Sequence, residues 1–184
     1  MRRLFGVLIG LGFALTPALA QKITIDYAHE FNFEMVDTFQ YVETKASNMQ
    51  NSLMDSRIRD AIIRELTEGG ASQVESDPDL YITYHVTTSE RTNFNTTTMG
   101  YGGMGRGWGG YGGMGMASST TTVSTYTDGT LIIDAYEPVE KKMVWRGTGT
   151  VTLKSKPEKQ VKQIDKILAK MGDKWDKILK NQGK

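Results

Sequence analysis

Glycine takes ten of the sixteen positions from Gly100 to Gly115, half of the chain's twenty glycines, and the hexapeptide GYGGMG at Gly100–Gly105 recurs at Gly110–Gly115. Glycine has no Cβ and loses more conformational freedom on ordering than any other residue, so a low-complexity stretch of this kind supplies neither a core nor a regular element. Any fold must therefore be assembled from the segments on either side. Thr92 to Ser119 is expected as a flexible Gly/Tyr/Met-rich insertion that joins two strands of a sheet.

Before the insertion, Lys22 to Tyr27 alternates, with Ile23, Ile25 and Tyr27 on one side and Lys22, Thr24 and Asp26 on the other, which reads as a half-buried strand. Thr38 to Val42 carries Phe39 and Tyr41 in the same phase. Ser52 to Glu68 is helical: Asn51 or Ser52 caps it, Met54, Ile58, Ala61, Ile62 and Leu66 form one apolar stripe, and Gly69-Gly70 stops it. Gln73 and Val74 add a brief strand. Asp77-Pro78-Asp79 then turns the chain into Leu80 to Thr88, where Leu80, Ile82, Tyr84 and Val86 face inward and His85 outward.

After the insertion, Thr120 to Tyr126 and Thr130 to Tyr136 flank Asp128-Gly129, a residue pair suited to the positive φ angles of a type I′ turn, so a hairpin is expected there. Met143 to Leu153 alternates, with Met143, Trp145, Gly147, Gly149, Val151 and Leu153 on one side. From Pro157 to Asn181, Val161, Ile164, Leu168, Met171, Trp175 and Ile178 recur at steps of three and four, a long amphipathic helix expected to cover the sheet. Gly172 inside it costs about 1 kcal/mol relative to alanine, which predicts a bend or break. These elements give an α+β class: an antiparallel sheet with two amphipathic helices packed on one face, in the order strand, strand, helix, strand, hairpin, strand, helix.

The N-terminus constrains the compartment. Met1-Arg2-Arg3 is a positive start, Leu4 to Leu15 an apolar run, and Ala18-Leu19-Ala20 the small-x-small pattern before a cleavage site. The run is shorter than the roughly 20 residues that span a bilayer, so a cleaved signal peptide over residues 1–20 and a periplasmic or secreted product are expected. The chain has no cysteine, so a core rather than disulfides must stabilise it, and no lipid-bearing cysteine follows the leader. No later apolar run is long enough to span a membrane. Without Arg2 and Arg3, twenty basic side chains face twenty-one acidic ones, a net charge of minus one that gives no electrostatic case for a nucleic-acid partner. The lysines from Lys154 onward alternate with acids, as on a solvated helix face.

Catalytic signatures are sparse. Three overlapping G-x-G-x-x-G matches begin at Gly100, Gly105 and Gly110, but the segment leads into a Thr-rich strand instead of a helix, so composition accounts for them. His29 and His85 sit in no pattern with a nucleophile, and neither an elbow serine, a zinc-binding helix motif nor a phosphate loop is present. Asp134, in mid-strand opposite the face of Leu131 and Ile133, is placed to pair with Arg146 on the next strand, a cross-strand ion pair. No cofactor and no enzymatic activity are expected. The one metal hypothesis rests on Met99, Met104, Met114 and Met116, thioethers that suit Cu(I). Tyr101, Trp108 and Tyr111 with Arg106 offer an alternative contact surface for a polymer or protein.

Five motifs in order, Thr38-Phe39-Gln40-Tyr41, Arg57-Ile58-Arg59-Asp60-Ala61-Ile62 with Leu66 and Gly69-Gly70, Pro78-Asp79-Leu80, Gly129-Thr130-Leu131-Ile132-Ile133-Asp134 and Val144-Trp145-Arg146-Gly147, resemble an uncharacterised bacterial envelope family. Its members are small exported or lipid-anchored proteins carrying one domain of unknown function. The resemblance implies an α+β periplasmic domain with no known activity. In it Gly69, Pro78, Asp79, Asp128, Gly129, Asp134, Trp145, Arg146 and Gly147 are structural, with Trp145 and Leu131 at core positions and Gly129 in a turn. The expected function is a non-enzymatic envelope module that binds or supports another envelope protein or polymer. A small-ligand or Cu(I) binder is the alternative. Oligomeric state is left open.

Overall fold

The computed structural model describes residues 21–43, 51–99 and 118–182. In order these form β1 (Lys22–Tyr27), a short 3-10 turn (Phe33–Met35), β2 (Thr38–Tyr41), α1 (Ser52–Glu68), β3 (Ser72–Gln73), β4 (Leu80–Met99), β5 (Ser118–Tyr136), β6 (Met143–Thr152) and α2 (Pro157–Gln182). The strands make one sheet in the order β1-β6-β5-β4-β2-β3. The expected α+β class and both helices are present.

Two features differ from the expectation. The sheet is mixed: β1, β6, β5 and β4 are antiparallel neighbours, but β2 runs parallel to both β4 and β3. A parallel pair needs a long crossover, and α1 provides it between β2 and β4. The second difference is at Asp128-Gly129. No hairpin forms there; β5 runs straight through, and β4 pairs with it in one unbroken register from Tyr81↔Tyr136 to Met99↔Ser118. Nineteen consecutive cross-strand pairs outweigh a two-residue turn preference. The chain reversal lies instead between Met99 and Ser118, and the expected insertion is narrowed at both ends, since Thr92–Met99 and Ser118–Ser119 are paired strand.

Both helices lie on one face. Inward-facing Tyr84 is fully buried, and its hydroxyl donates to the Asp55 carbonyl on α1 at 3.1 Å and to the Asp55 carboxylate. Asn51 caps α1, its side chain accepting the Met54 N–H at 3.2 Å. At the other end Gly70, with φ of 102°, takes the left-handed conformation, while Gly69 is the right-handed cap that donates to Glu65. The helix stop is therefore at the expected pair but carried by its second glycine.

α2 is continuous through Gly172. An added Cβ there would lie 3.2 Å from Glu65 Oε1, so the glycine marks where α1 and α2 pass closely, not a break. Its Ile167, Leu168 and Met171 are each 3% exposed, and burying such side chains contributes about 2 kcal/mol apiece. Met171 seats on Gly147 and Gly149 of β6, and Ile167 on Gly149. A Cβ at Gly149 would come within 2.3 Å of Ile167 Cγ2, and one at Gly147 within 2.4 Å of Trp145 Cη2. These glycines let the helix and Trp145 approach the strand.

Candidate functional site: an uncovered sheet face and a projecting arm

β4 and β5 are far longer than their neighbours. β2 leaves β4 after Tyr41↔Ile82, and β6 leaves β5 after Asp128↔Thr152. From Ser89 to Met99 and from Ser118 to Asp128 the two strands pair only with each other among the described residues, in eleven cross-strand pairs. At about 3.3 Å per residue this makes an arm of roughly 35 Å.

At the root of the arm Asp128 accepts the Thr152 hydroxyl at 2.7 Å and lies 3.6 Å from Arg91 Nε. Beyond that root, Thr92–Met99 and Ser118–Thr127 contain no charged residue, glycine or proline. Phe94, opposite Val123, is 72% exposed, Val123 57% and Tyr126 40%. By strict alternation Phe94 and Val123 continue the face that carries Tyr84 and Leu131 in the core, but no helix covers them. The Thr96 and Thr121 hydroxyls meet across the arm at 3.2 Å.

Sequence reasoning missed the β4 half of this arm because it assigned Thr92–Ser119 to the insertion; Thr120–Tyr126 was expected as a strand, but paired with Thr130–Tyr136 instead of β4. The signal was available: threonine and valine density is itself a strand preference, and Phe94 keeps the alternation of Tyr84 and Val86.

The face of the sheet away from the helices bears the predicted ion pair. Asp134 and Arg146 are direct cross-strand partners; Arg146 Nε donates to Oδ1 at 2.6 Å and Nη2 to Oδ2 at 2.8 Å. The Asp134 side chain is 3% exposed and that of Arg146 40%, with His85 Nδ1 3.9 Å from Oδ2. The bidentate contact and the shielding leave the carboxylate without access to a substrate, so it acts as a clasp across the sheet. Asp134 also holds the Arg146 guanidinium above its usual pKa, chiefly through the hydrogen bonds.

The remaining predicted positions are dispersed. Pro78 and Asp79 lie beside the start of β2, where the Asp79 carboxylate accepts three hydrogen bonds from Asp37 and Thr38. Gly129 is buried in mid-strand, and a Cβ there would meet Leu153 Cδ2 at 2.6 Å. Close approach, not turn geometry, is what it permits. Leu131 is buried as expected. Trp145 is half-buried, packs edge-on against Trp175 at 6.2 Å, and keeps a buried Nε1 with no hydrogen-bond partner. Met104, Met114 and Met116 lie outside the described residues, and so does the leader, residues 1–20; of Met99 only its place at the tip of β4 is described.

One apolar cavity of about 100 Å³ lies between the helices and the root of the arm, lined among others by Met54, Ile58, Val86, Leu131, Val151 and Ile164. Pockets for small organic ligands run to several hundred Å³, so this space suits one side chain at most. Among the described residues no helix is long and apolar enough to cross a membrane.

Comparison with family profiles matches residues 23–174 to DUF4136, a domain of unknown function. No curated protein matches the chain. Among solved structures, a PDZ domain protein from Parabacteroides distasonis is similar at a TM-score of 0.50 and 11% identity, over 80% of this chain but only 35% of that one. PelC from Paraburkholderia phytofirmans, crystallised as a dodecamer, is similar at TM-scores of 0.47 and 0.49 in two crystal forms, with 12% identity over 83% of this chain and 98% and 94% of those chains. At such identities the first likeness shows a shared fold and nothing of activity.

Proposed function

The chain belongs to the DUF4136 family, a domain of unknown function, and from that premise we propose that it is an exported cell-envelope module that binds another polypeptide through the β4–β5 arm. The single observation that carries the binding role is the arm itself. An isolated two-stranded ribbon is marginally stable in water, and a third strand or a covering surface is what normally supports one. Proteins guard free strand edges with charges, prolines or bulges. None of these interrupts Thr92–Met99 or Ser118–Thr127, and the pairing is regular throughout. Such an edge presents backbone donors and acceptors to an added strand, while Phe94, Val123 and Tyr126 supply apolar contact.

Export rests on the leader pattern from Met1 to Ala20. With no cysteine after that pattern, the expected product is a periplasmic or secreted protein free of an N-terminal lipid.

The test is photo-crosslinking in the cell from a reactive residue at Phe94, with Lys159 on the exposed side of α2 as the control position, followed by fractionation and mass spectrometry. A polypeptide adduct formed from Phe94 and not from Lys159, in the envelope fraction, is expected. Equal labelling at both positions, or recovery of the protein in the cytoplasm with its leader intact, overturns the reading.

A further inference from the structure

The hydrogen-bonding sides of β5 can be assigned residue by residue. Leu153 N–H donates to the Thr127 carbonyl at 2.8 Å, from the side on which β6 lies. Backbone groups on a strand alternate sides with period two. Thr121, Val123 and Thr125 therefore also direct N–H and C=O to that side. β6 ends at Thr152, opposite Asp128, so no strand among the described residues runs along this edge from Ser118 to Tyr126.

Resting on the arm as the binding element, we propose that this edge is covered by the same edge of a second copy of the chain, with the two β5 strands antiparallel and Val123 opposite Val123 of the second copy. Three observations select that occupant. First, a two-fold axis relating two antiparallel edge strands stands perpendicular to the sheet, so opposed residue numbers must sum to an even value. Centring on Val123 meets this condition and makes Val123 a pair that exchanges both of its hydrogen bonds. Thr121 falls opposite Thr125 twice in the same way, giving about six bonds in all. Second, the axis keeps each copy's helix-side face on the same side. Phe94, Val123, Val123 and Phe94 then form one apolar row across a four-stranded sheet, from side chains that are 72% and 57% exposed in the single chain.

Third, Ser118–Thr127 is uncharged, so an identical strand meets it without repulsion, whereas the free edge of β4 carries Glu90 and Arg91. Leu153 on Thr127 and Thr152 on Asp128 stand where Ser119 and Ser118 of the second copy would fall, so the match is Thr120–Tyr126, seven residues per copy, and each copy's strand turns out of the shared sheet at Ser118–Ser119. Threonine pairs opposite one another are favourable cross-strand contacts. The contact is small by the standard of permanent interfaces, so the association is reversible and depends on concentration.

The experiment is sedimentation of the full chain, expressed with its leader, across a hundredfold concentration range, beside Val123→Lys and two single-cysteine variants, Val123→Cys and Tyr126→Cys. The chain's lack of cysteine makes any crosslink specific. Opposed residues in an exchanged pair have Cα atoms about 5.5 Å apart, inside the disulfide range. The wild-type chain should shift from monomer to dimer. Val123→Lys should remain monomeric with an unchanged melting temperature. Val123→Cys should form covalent dimer at least tenfold faster than Tyr126→Cys. A wild-type chain monomeric throughout with no rate difference between the cysteine variants overturns the proposal, as does a dimer that survives Val123→Lys. If crosslinking from Phe94 captures only a different envelope polypeptide, self-association fails while the binding role stands. If it captures nothing, both fail.

Discussion

The Asp79 carboxylate accepts the Thr38 N–H at 2.8 Å and the Thr38 hydroxyl at 2.7 Å, joining the starts of two parallel strands across 41 residues of sequence. The same Oδ2 accepts the Asp37 N–H at 3.1 Å, and the Asp79 N–H returns a bond to the Thr38 hydroxyl at 3.0 Å. β2 has only four residues, so this clasp and the α1 crossover hold it in register.

The Thr38 hydroxyl, followed by the Thr38 and Asp37 amides, holds the Asp79 carboxyl below its ordinary pKa. A lowered folded-state value stabilises the fold above the unfolded value, about 3.9, and that contribution disappears as pH falls through the folded one. Acid titration of stability should therefore steepen below about pH 4 in the wild type. Asp79→Asn should flatten that segment, and Asp79→Ala should cost about 2 kcal/mol at neutral pH in urea unfolding. A titration unaltered by Asp79→Asn would show that the clasp contributes nothing.

Asp134 and Arg146 should respond unequally. Removing the guanidinium leaves a carboxylate whose side chain is 3% exposed, whereas removing the carboxylate leaves an arginine that is 40% exposed and able to turn to water. Arg146→Met is expected to cost about 3 kcal/mol, and Asp134→Asn roughly half of that. Equal losses in chemical denaturation would contradict the assignment of Asp134 as the buried partner.

Gly149 faces Ile167 at van der Waals limits. Gly149→Ala should destabilise by about 2 kcal/mol through overpacking, and Ile167→Leu in the same molecule should recover part of the loss by removing the opposed β-branch methyl, Cγ2. Additive penalties, measured as a double-mutant cycle, would mean that the strand and helix shift apart instead.

The arm should be separable from the domain. Ser89 and Asp128 are direct cross-strand partners whose backbone groups point at each other, so replacing Glu90–Thr127 with Asn-Gly closes a two-residue hairpin at the natural register. Thermal unfolding should move by only a few degrees, because the buried core contains no residue of the arm beyond its root. Loss of cooperative unfolding would show that the arm is part of the folding unit.

The sequence by itself determined the elements whose signal is local. Met54, Ile58, Ala61 and Ile62 repeat at helical spacing, and Asn51 and Gly70 punctuate α1. Ile23 and Ile25 alternate at strand spacing in β1, and the Asp134–Arg146 pair follows from the phase of two adjacent strands. Periodicity suffices there because each element buries one face, and burial selects the period. Only the tertiary structure decided the path through Asp128-Gly129. Locally that pair prefers a turn, but Gly129 is needed where Leu153 crosses the strand, and the register with β4 runs past it without a break. The parallel placement of β2 was likewise hidden, since it depends on Asp79 reaching Thr38 and on the direction of the α1 crossover. Strand pairing is a contest between distant segments, and its outcome turns on the summed ladder and the space beneath it, quantities that no short window of residues contains.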